Sequence, residues 1–202
     1  MPVRSIEDDR KKLFHRVGDN PSAICTLIFG GRDIFSGECR ILVAGGGTGD
    51  STLFFAKYLR DIGGNGRVVH LDQSAAANEI IATRLSRFDL NNVDIQERSL
   101  LDLDPQEDGL FDYINCNGVL HHLPSPVEGL HRLSSVTRPD GGLGIWTYAK
   151  YGRTGMYHVQ RMILDLVGSR PVDADAIALT RDIFSELPSS SLGRYDGSGV
   201  LS

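Results

Sequence analysis

The stretch from Ile41 to Asp50 reads ILVAGGGTGD: four apolar residues run directly into three consecutive glycines, followed by Thr48, Gly49 and Asp50. A glycine inside a regular element costs roughly 0.5–1 kcal/mol relative to alanine. So much backbone freedom at the end of a strand-like run implies either an unusual local conformation or the close approach of another group. A short apolar run ended by glycine reads as a buried strand that turns sharply.

The rest of the chain alternates. RILVAG is the first strand, and Asp50 to Asp61 carries Leu53, Phe54, Ala56 and Tyr58 along one face of a helix that stops near GGNG. RVVHLD is a second strand, Ser74 to Phe88 a second helix with Ser74 as N-cap, VDIQER a third strand and FDYINCN a fourth. A helix from Pro126 to Val136 and a fifth strand, GGLGIWTYA, follow. Two further helices are expected around Gly155 to Val167 and Ala174 to Leu187, an N-terminal one over EDDRKKLF, and a turn-rich polar tail from Pro188. Strand–helix alternation predicts an α/β fold with a largely parallel sheet and helices on both faces. Ligands of such sheets bind beyond the carboxyl ends of the strands, where strand order reverses. The glycines fall at that place, where they are expected to let a ligand reach backbone N–H groups and the next helix's N-terminus.

Composition removes several classes of function. At 202 residues the chain can bury one substantial core, and its net charge of -5 gives no support for general nucleic-acid or acidic-membrane binding. No apolar run approaches the roughly 20 residues of a membrane-spanning helix. The N-terminus MPVRSIEDDRKKLFHR has no apolar core of a signal peptide. Cys25, Cys39 and Cys116 are odd in number and lack C-x-x-C spacing, which favours a reducing, cytoplasmic compartment.

The dinucleotide fingerprint G-x-G-x-x-G does not fit, because its third glycine, counted from Gly45, falls on Asp50. The spacing present is G-x-G-x-G: Gly45, Gly47 and Gly49. An acid opening the next helix is a poor neighbour for pyrophosphate and suits a cationic ligand without phosphate. In this register ILVAGGGTG resembles the first motif of class I S-adenosylmethionine-dependent methyltransferases. VVHLDQS resembles their second motif, RSLLDL the segment after strand three, FDYINCNGVLHHL the fourth-strand motif and TRPDGGLGI the turn into strand five. The match runs from Arg40 to Tyr148, and five motifs in order make it specific.

The resemblance implies a Rossmann-like fold and S-adenosylmethionine as cofactor. It implies cofactor contacts at Gly45, Gly47, Gly49, Asp72, Gln73, Ser99, Leu100 and Asn117. Asp72 would accept both ribose hydroxyls. Gln73 and Leu100 would cover the two faces of the adenine, Ser99 and Leu100 would meet its edge, and Asn117 would lie near the methionine part. The family commonly carries an acid two positions before the first motif glycine; Val43 stands there instead. His122, and after it His121, are the candidates for a base that takes the acceptor's proton. Cys116 and the two histidines have no further ligands at a recognisable spacing, so no metal is expected.

The methyl acceptor is not named by any residue, although a small molecule is favoured. It would be selected by Arg4 to Phe35 and by YAKYGRTGMYHVQR, whose Tyr148, Lys150, Tyr151, Arg153, Tyr157 and Arg161 mix aromatics with cations. The expected organisation is an N-terminal helical segment (1–39), a cofactor-binding core (40–150) and C-terminal helices with a polar tail (151–202). Intact glycines and Asp72 favour an active enzyme. Val43 and the short C-terminal part favour the alternative, a degenerate methyltransferase-like domain that acts through a partner. Strands six and seven of the family sheet are missing from the sequence pattern. Strand five, with Trp146 and Tyr148, is therefore expected at an open edge, where a continuing chain, a second copy or the C-terminal helices would cover it.

Overall fold

Strand β1 (Arg40–Ala44) is apolar at every position after the first, because it lies at the centre of the sheet with both faces covered. Ile41, Leu42, Val43 and Ala44 are each no more than 2% exposed. The structure, a computed structural model, describes residues 19–168 and 173–186. The other strands are β2 (Arg67–Asp72), β3 (Val93–Glu97), β4 (Phe111–Asn117) and β5 (Thr137–Trp146). They pair in the order β3-β2-β1-β4-β5, parallel throughout. The order reverses at β1, which pairs with β2 on one side and β4 on the other, so a crevice opens at the carboxyl ends of β1, β2 and β4.

Helices α1 (Pro21–Leu27), α2 (Asp50–Asp61), α3 (Ala75–Arg87), α4 (Pro105–Asp108) and α5 (Pro126–Ser135) belong to the same unit as the sheet, residues 1–147. Side chains start most of them: Asn20 accepts from the N–H groups of Ser22 and Ala23, Ser74 from Ala77, and Ser125 from Glu128. Each such cap contributes about 1 kcal/mol. Helices α6 (Thr154–Val167) and α7 (Ala174–Glu186) form a second unit, residues 148–202.

Alternation along β1 divides the core between the faces of the sheet. Ile41 and Val43 pack with Phe35, Leu53, Phe55 and Tyr113. Leu42 and Ala44 pack with Leu71, Leu103, Ile114 and Leu133. Ile24 of α1, together with Phe35 and Cys39, joins the first cluster, so the segment before β1 contributes directly to the core.

The elements expected from periodicity appear with small changes. Strand β5 starts at Thr137 rather than Gly141 and ends at Trp146 rather than Ala149. Its register slips between Phe111 and Tyr113, which face Thr137 and Gly142. The Arg138–Asp140 segment is therefore absorbed as an irregularity inside the strand. Helix α1 was not expected, although Asn20-Pro21 is a readable start signal. The expected helix over EDDRKKLF and the tail from Pro188 lie outside the described residues. Among the described residues the sheet has five strands with β5 at one edge, where Ile145 and Trp146 are 40% and 56% exposed.

Candidate functional site

The glycine turn carries β1 into α2 through three left-handed residues: Gly45, Gly47 and Gly49 have φ of 66°, 54° and 87°. Two of them are also packed too closely for a side chain. A Cβ on Gly45 would sit 2.5 Å from Val119, and one on Gly49 would sit 2.1 Å from Ile81 of α3. At Gly47 a Cβ would meet nothing within 4 Å.

The four glycine N–H groups of this turn have acceptors within the protein. Gly45 and Gly46 donate to the Leu71 carbonyl, Gly49 donates to the Gly46 carbonyl, and Gly47 donates to Asp72 Oδ2 at 2.7 Å. The expectation that the glycines expose these N–H groups to a ligand is therefore corrected: they shape the turn, and the protein itself takes the donors. Asp50, read as an acid left for a cationic ligand, also has a protein partner. Arg84, 3% exposed, pairs with it at 2.9 Å and donates to the Thr48 carbonyl.

Two clefts open beside the turn and share Gly45. The larger, about 590 Å³, is lined by Asp72, Gln73, Ser99, Leu100 and His122 of the predicted residues, with Leu71, Arg98, Val119 and Leu123. The smaller, about 400 Å³, is lined by Asn117 together with Val43, Thr48, Asp50, Ser51 and Asn115. Of the ten predicted residues, Gly47, Gly49 and His121 line neither cleft. Gly47 ties to Asp72, Gly49 packs on α3, and the His121 ring lies 4.1 Å from the His122 ring.

Asp72 ends β2 with its carboxylate bound on both oxygens, Oδ2 to Gly47 and Oδ1 to the Ser74 N–H at 2.9 Å. A carboxylate offers about four acceptor positions, so these two bonds leave capacity for a ligand's hydroxyls. Ser99 caps the 3-10 turn Leu100–Asp102: its hydroxyl accepts from Leu101 and its N–H donates to Asp102. This box fixes buried Leu100 on the cleft wall.

Sequence reasoning missed the groups behind the smaller cleft. Asp19 is fully buried, and its carboxylate accepts from Asn115 Nδ2 at 2.8 Å, Asn117 Nδ2 at 3.1 Å and Ser51 Oγ at 3.0 Å. The readable signal was Asn115, a polar residue inside an otherwise apolar strand. His70 gave the same signal in β2; it is fully buried against Thr52 Oγ1 at 2.7 Å. Burial holds the His70 imidazole below its usual range, opposed by the nearby Asp72 charge. Burial also pushes the Tyr113 phenol and the Cys116 thiol each up to about 12, so both stay protonated at neutral pH.

A family model described as a methyltransferase domain matches residues 42–143, half of the chain, and spans β1 through most of β5. The chain belongs to the methyltransferase-domain family. The cofactor of that family is S-adenosylmethionine, and four of the five motifs that resemble the family's contribute residues to the two clefts. The domain is 39% identical over 171 residues to an uncharacterized protein of Synechococcus sp., covering 84% of this chain and 39% of that one. It is 36% identical over 108 residues to an uncharacterized methyltransferase of Schizosaccharomyces pombe, covering 50% and 37% of the two chains. The chain thus spans about two fifths of the length of these relatives.

The fold is similar to that of PKMT2 from Rickettsia typhi in complex with AdoHcy, with TM-score 0.66 and 24% identity over 86% of this chain and 34% of that one. It is also similar to the plantazolicin methyltransferase BpumL in complex with SAH, with TM-score 0.54 and 16% identity over 87% and 59% of the chains. In the second unit the Arg153 guanidinium stacks 3.4 Å from the Tyr148 ring centroid, and Tyr151 is 84% exposed. No helix of the described residues is long and apolar enough to cross a membrane.

Proposed function

We propose that the chain is the catalytic domain of an S-adenosylmethionine-dependent methyltransferase acting on a small-molecule acceptor. The observation that carries this reading is the pair of clefts joined at Gly45. One is mixed in character and edged by Asp72; the other is polar and edged by Asn117. A nucleoside suits the first, and the amino-acid end of the cofactor suits the second.

Asp72 accepts the ribose hydroxyls with the acceptor capacity that Gly47 and Ser74 leave it. Gln73 and Leu100 contact the faces of the base, and the Ser99–Leu100 backbone contacts its edge. The cofactor supplies a methyl group already activated on a sulfonium. The protein's work is therefore positioning and the exclusion of water. His122, exposed on the cleft wall, takes the proton of a hydroxyl or amine acceptor, and His121 supports its ring from behind.

The test is calorimetric titration with S-adenosylmethionine and S-adenosylhomocysteine, followed by transfer of labelled methyl to fractionated cell extract. Saturable binding of both, with label in the small-molecule fraction, supports the proposal. Absence of binding by either ligand sinks it, and label found only in protein or RNA replaces the acceptor class.

A further inference from the structure

A clamp of charged side chains backs the larger cleft. Arg98 follows β3, and its guanidinium reaches three separate places. Nε and Nη2 donate to Gln96 Oε1 at 3.2 and 3.0 Å, Nη1 donates to the Asp102 carbonyl at 3.4 Å, and Nη2 pairs with Asp108 Oδ1. Arg98 lines the larger cleft, whereas Asp108, at the end of α4 with a side chain 5% exposed, lines neither cleft. The other carboxylate oxygen of Asp108 accepts from the Asp104 N–H at 2.9 Å, and its backbone carbonyl accepts from Arg40 Nη2 at 3.0 Å. The pair thus ties the cleft wall to the first residue of the central strand β1.

Between these anchors runs the 3-10 turn Leu100–Asp102. Its own bonds use the N–H groups of Ser99, which donates to Asp102 Oδ2, of Leu101, which donates to Ser99 Oγ, and of Asp102, which donates to the Ser99 carbonyl. The N–H of Leu100, the first residue of the turn, is the one these bonds leave over, and Leu100 lines the cleft. One N–H set against the edge of a base reads one property. It pairs with a ring nitrogen that accepts, as N1 of adenine does, and opposes one that carries a proton, as N1 of hypoxanthine does. Hydrogen bonds weaken steeply when misaligned, so the orientation of the turn decides how well the two are told apart. We propose that Arg98 and Asp108 are the positioning pair that sets the base selectivity of the larger cleft, by holding the Leu100 N–H in line with the base edge. The inference rests on the cofactor reading above. It adds the residues, one of them outside the cleft, on which the choice of base depends.

The experiment measures, by calorimetry, the affinities of S-adenosylhomocysteine and S-inosylhomocysteine, which differ only in the base. The wild-type protein should prefer the first by about tenfold or more, since the second sets a donor against a donor. Arg98→Lys and Asp108→Ala should each narrow the preference to about threefold or less, because lysine keeps the charge but lacks the planar fork that holds three anchors at once. The double variant should narrow it no further than either single one, as residues acting as a unit require. A merely structural role would lower the affinity for both probes equally and leave their ratio untouched. Gln96→Ala removes one anchor from a half-buried position and should narrow the preference part-way. It decides the matter if the other variants do not fold by circular dichroism. Equal wild-type affinity for the two probes overturns the inference. So does an undiminished preference in any folded single variant, or losses of preference that add in the double variant. Failure of the wild-type protein to bind either probe is a different result: it removes the cofactor reading itself.

Discussion

The backbone N–H of Gly47 donates to Oδ2 of Asp72 at 2.7 Å, which ties the turn after β1 to the end of β2. The carboxylate that edges the larger cleft is thus also a brace of the glycine turn. Asp72→Ala should weaken S-adenosylhomocysteine binding by at least about tenfold and lower stability by about 1–3 kcal/mol. Asp72→Asn should recover little, because its NH2 group would face one of the two N–H donors, Gly47 or Ser74. Titration calorimetry and urea unfolding check both effects. An unchanged dissociation constant in folded Asp72→Ala refutes the ribose assignment.

The glycines of the turn should separate by what surrounds them. Gly47 lines neither cleft, but its N–H holds the Asp72 carboxylate, so Gly47→Val should weaken cofactor binding through Asp72 and lose stability only through left-handed strain of about 1–2 kcal/mol. Gly49→Ala drives a Cβ into Ile81 and should cost more, with part of the loss restored by Ile81→Ala in the same chain. Thermal and urea unfolding of the three variants give the order. A Gly47→Val chain that fails to fold would show that the turn alone requires the glycine.

His122 lines the larger cleft, while His121 does not. His122→Asn should lower the turnover of a hydroxyl or amine acceptor by about 100-fold or more while leaving S-adenosylhomocysteine affinity unchanged. His121→Asn should act more weakly. Equal turnover in wild type and His122→Asn would return this histidine to a structural role.

Burial depresses the His70 imidazole below the usual histidine value of about 6.5. Below that pH the unfolded chain binds a proton that the folded chain does not. The stability associated with neutral His70 is therefore complete above about pH 6.5 and falls as the pH drops toward its folded value. Between pH 7.5 and 5, wild-type unfolding free energy should decline by up to about 1.4 kcal/mol per pH unit more steeply than that of His70→Gln. Parallel urea series at each pH measure the difference, and identical slopes would contradict the burial argument.

The thiols of Cys39 and Cys116 are each pushed up to about 12, with burial the main cause. Cys25 is only half-buried. Under native conditions a thiol-disulfide reagent should label Cys25 and leave the other two untouched, whereas all three react in denaturant. Mass mapping of the labelled peptides reads this directly.

Local pattern carried most of the scaffold. Helix α2 begins and ends where the apolar face and GGNG predict, Ser74 caps α3, and FDYINCN is strand β4 in full. These features depend on neighbours a few residues apart, whose preferences the chain states locally. The motifs that resemble the methyltransferase family are of the same kind, since each is a short run at or beside one end of a strand. Strand–helix alternation was enough to imply the parallel sheet, and the glycine turn after β1 the crevice beside it.

What joins distant residues was not legible. The N–H groups of Gly45, Gly46 and Gly47 are spent on Leu71 and Asp72, a pairing that exists only once β1 lies beside β2. Asp50 meets Arg84 of α3, and Asp19 reaches Asn115 and Asn117 across nearly a hundred residues of chain. Each of these is a buried polar group whose desolvation is tolerable only with a partner in hand. The sequence by itself determined the strands, the turn and the family. Only the tertiary structure decided which polar groups are satisfied within the protein and by which partners, because that depends on distances set by the packing of the whole sheet.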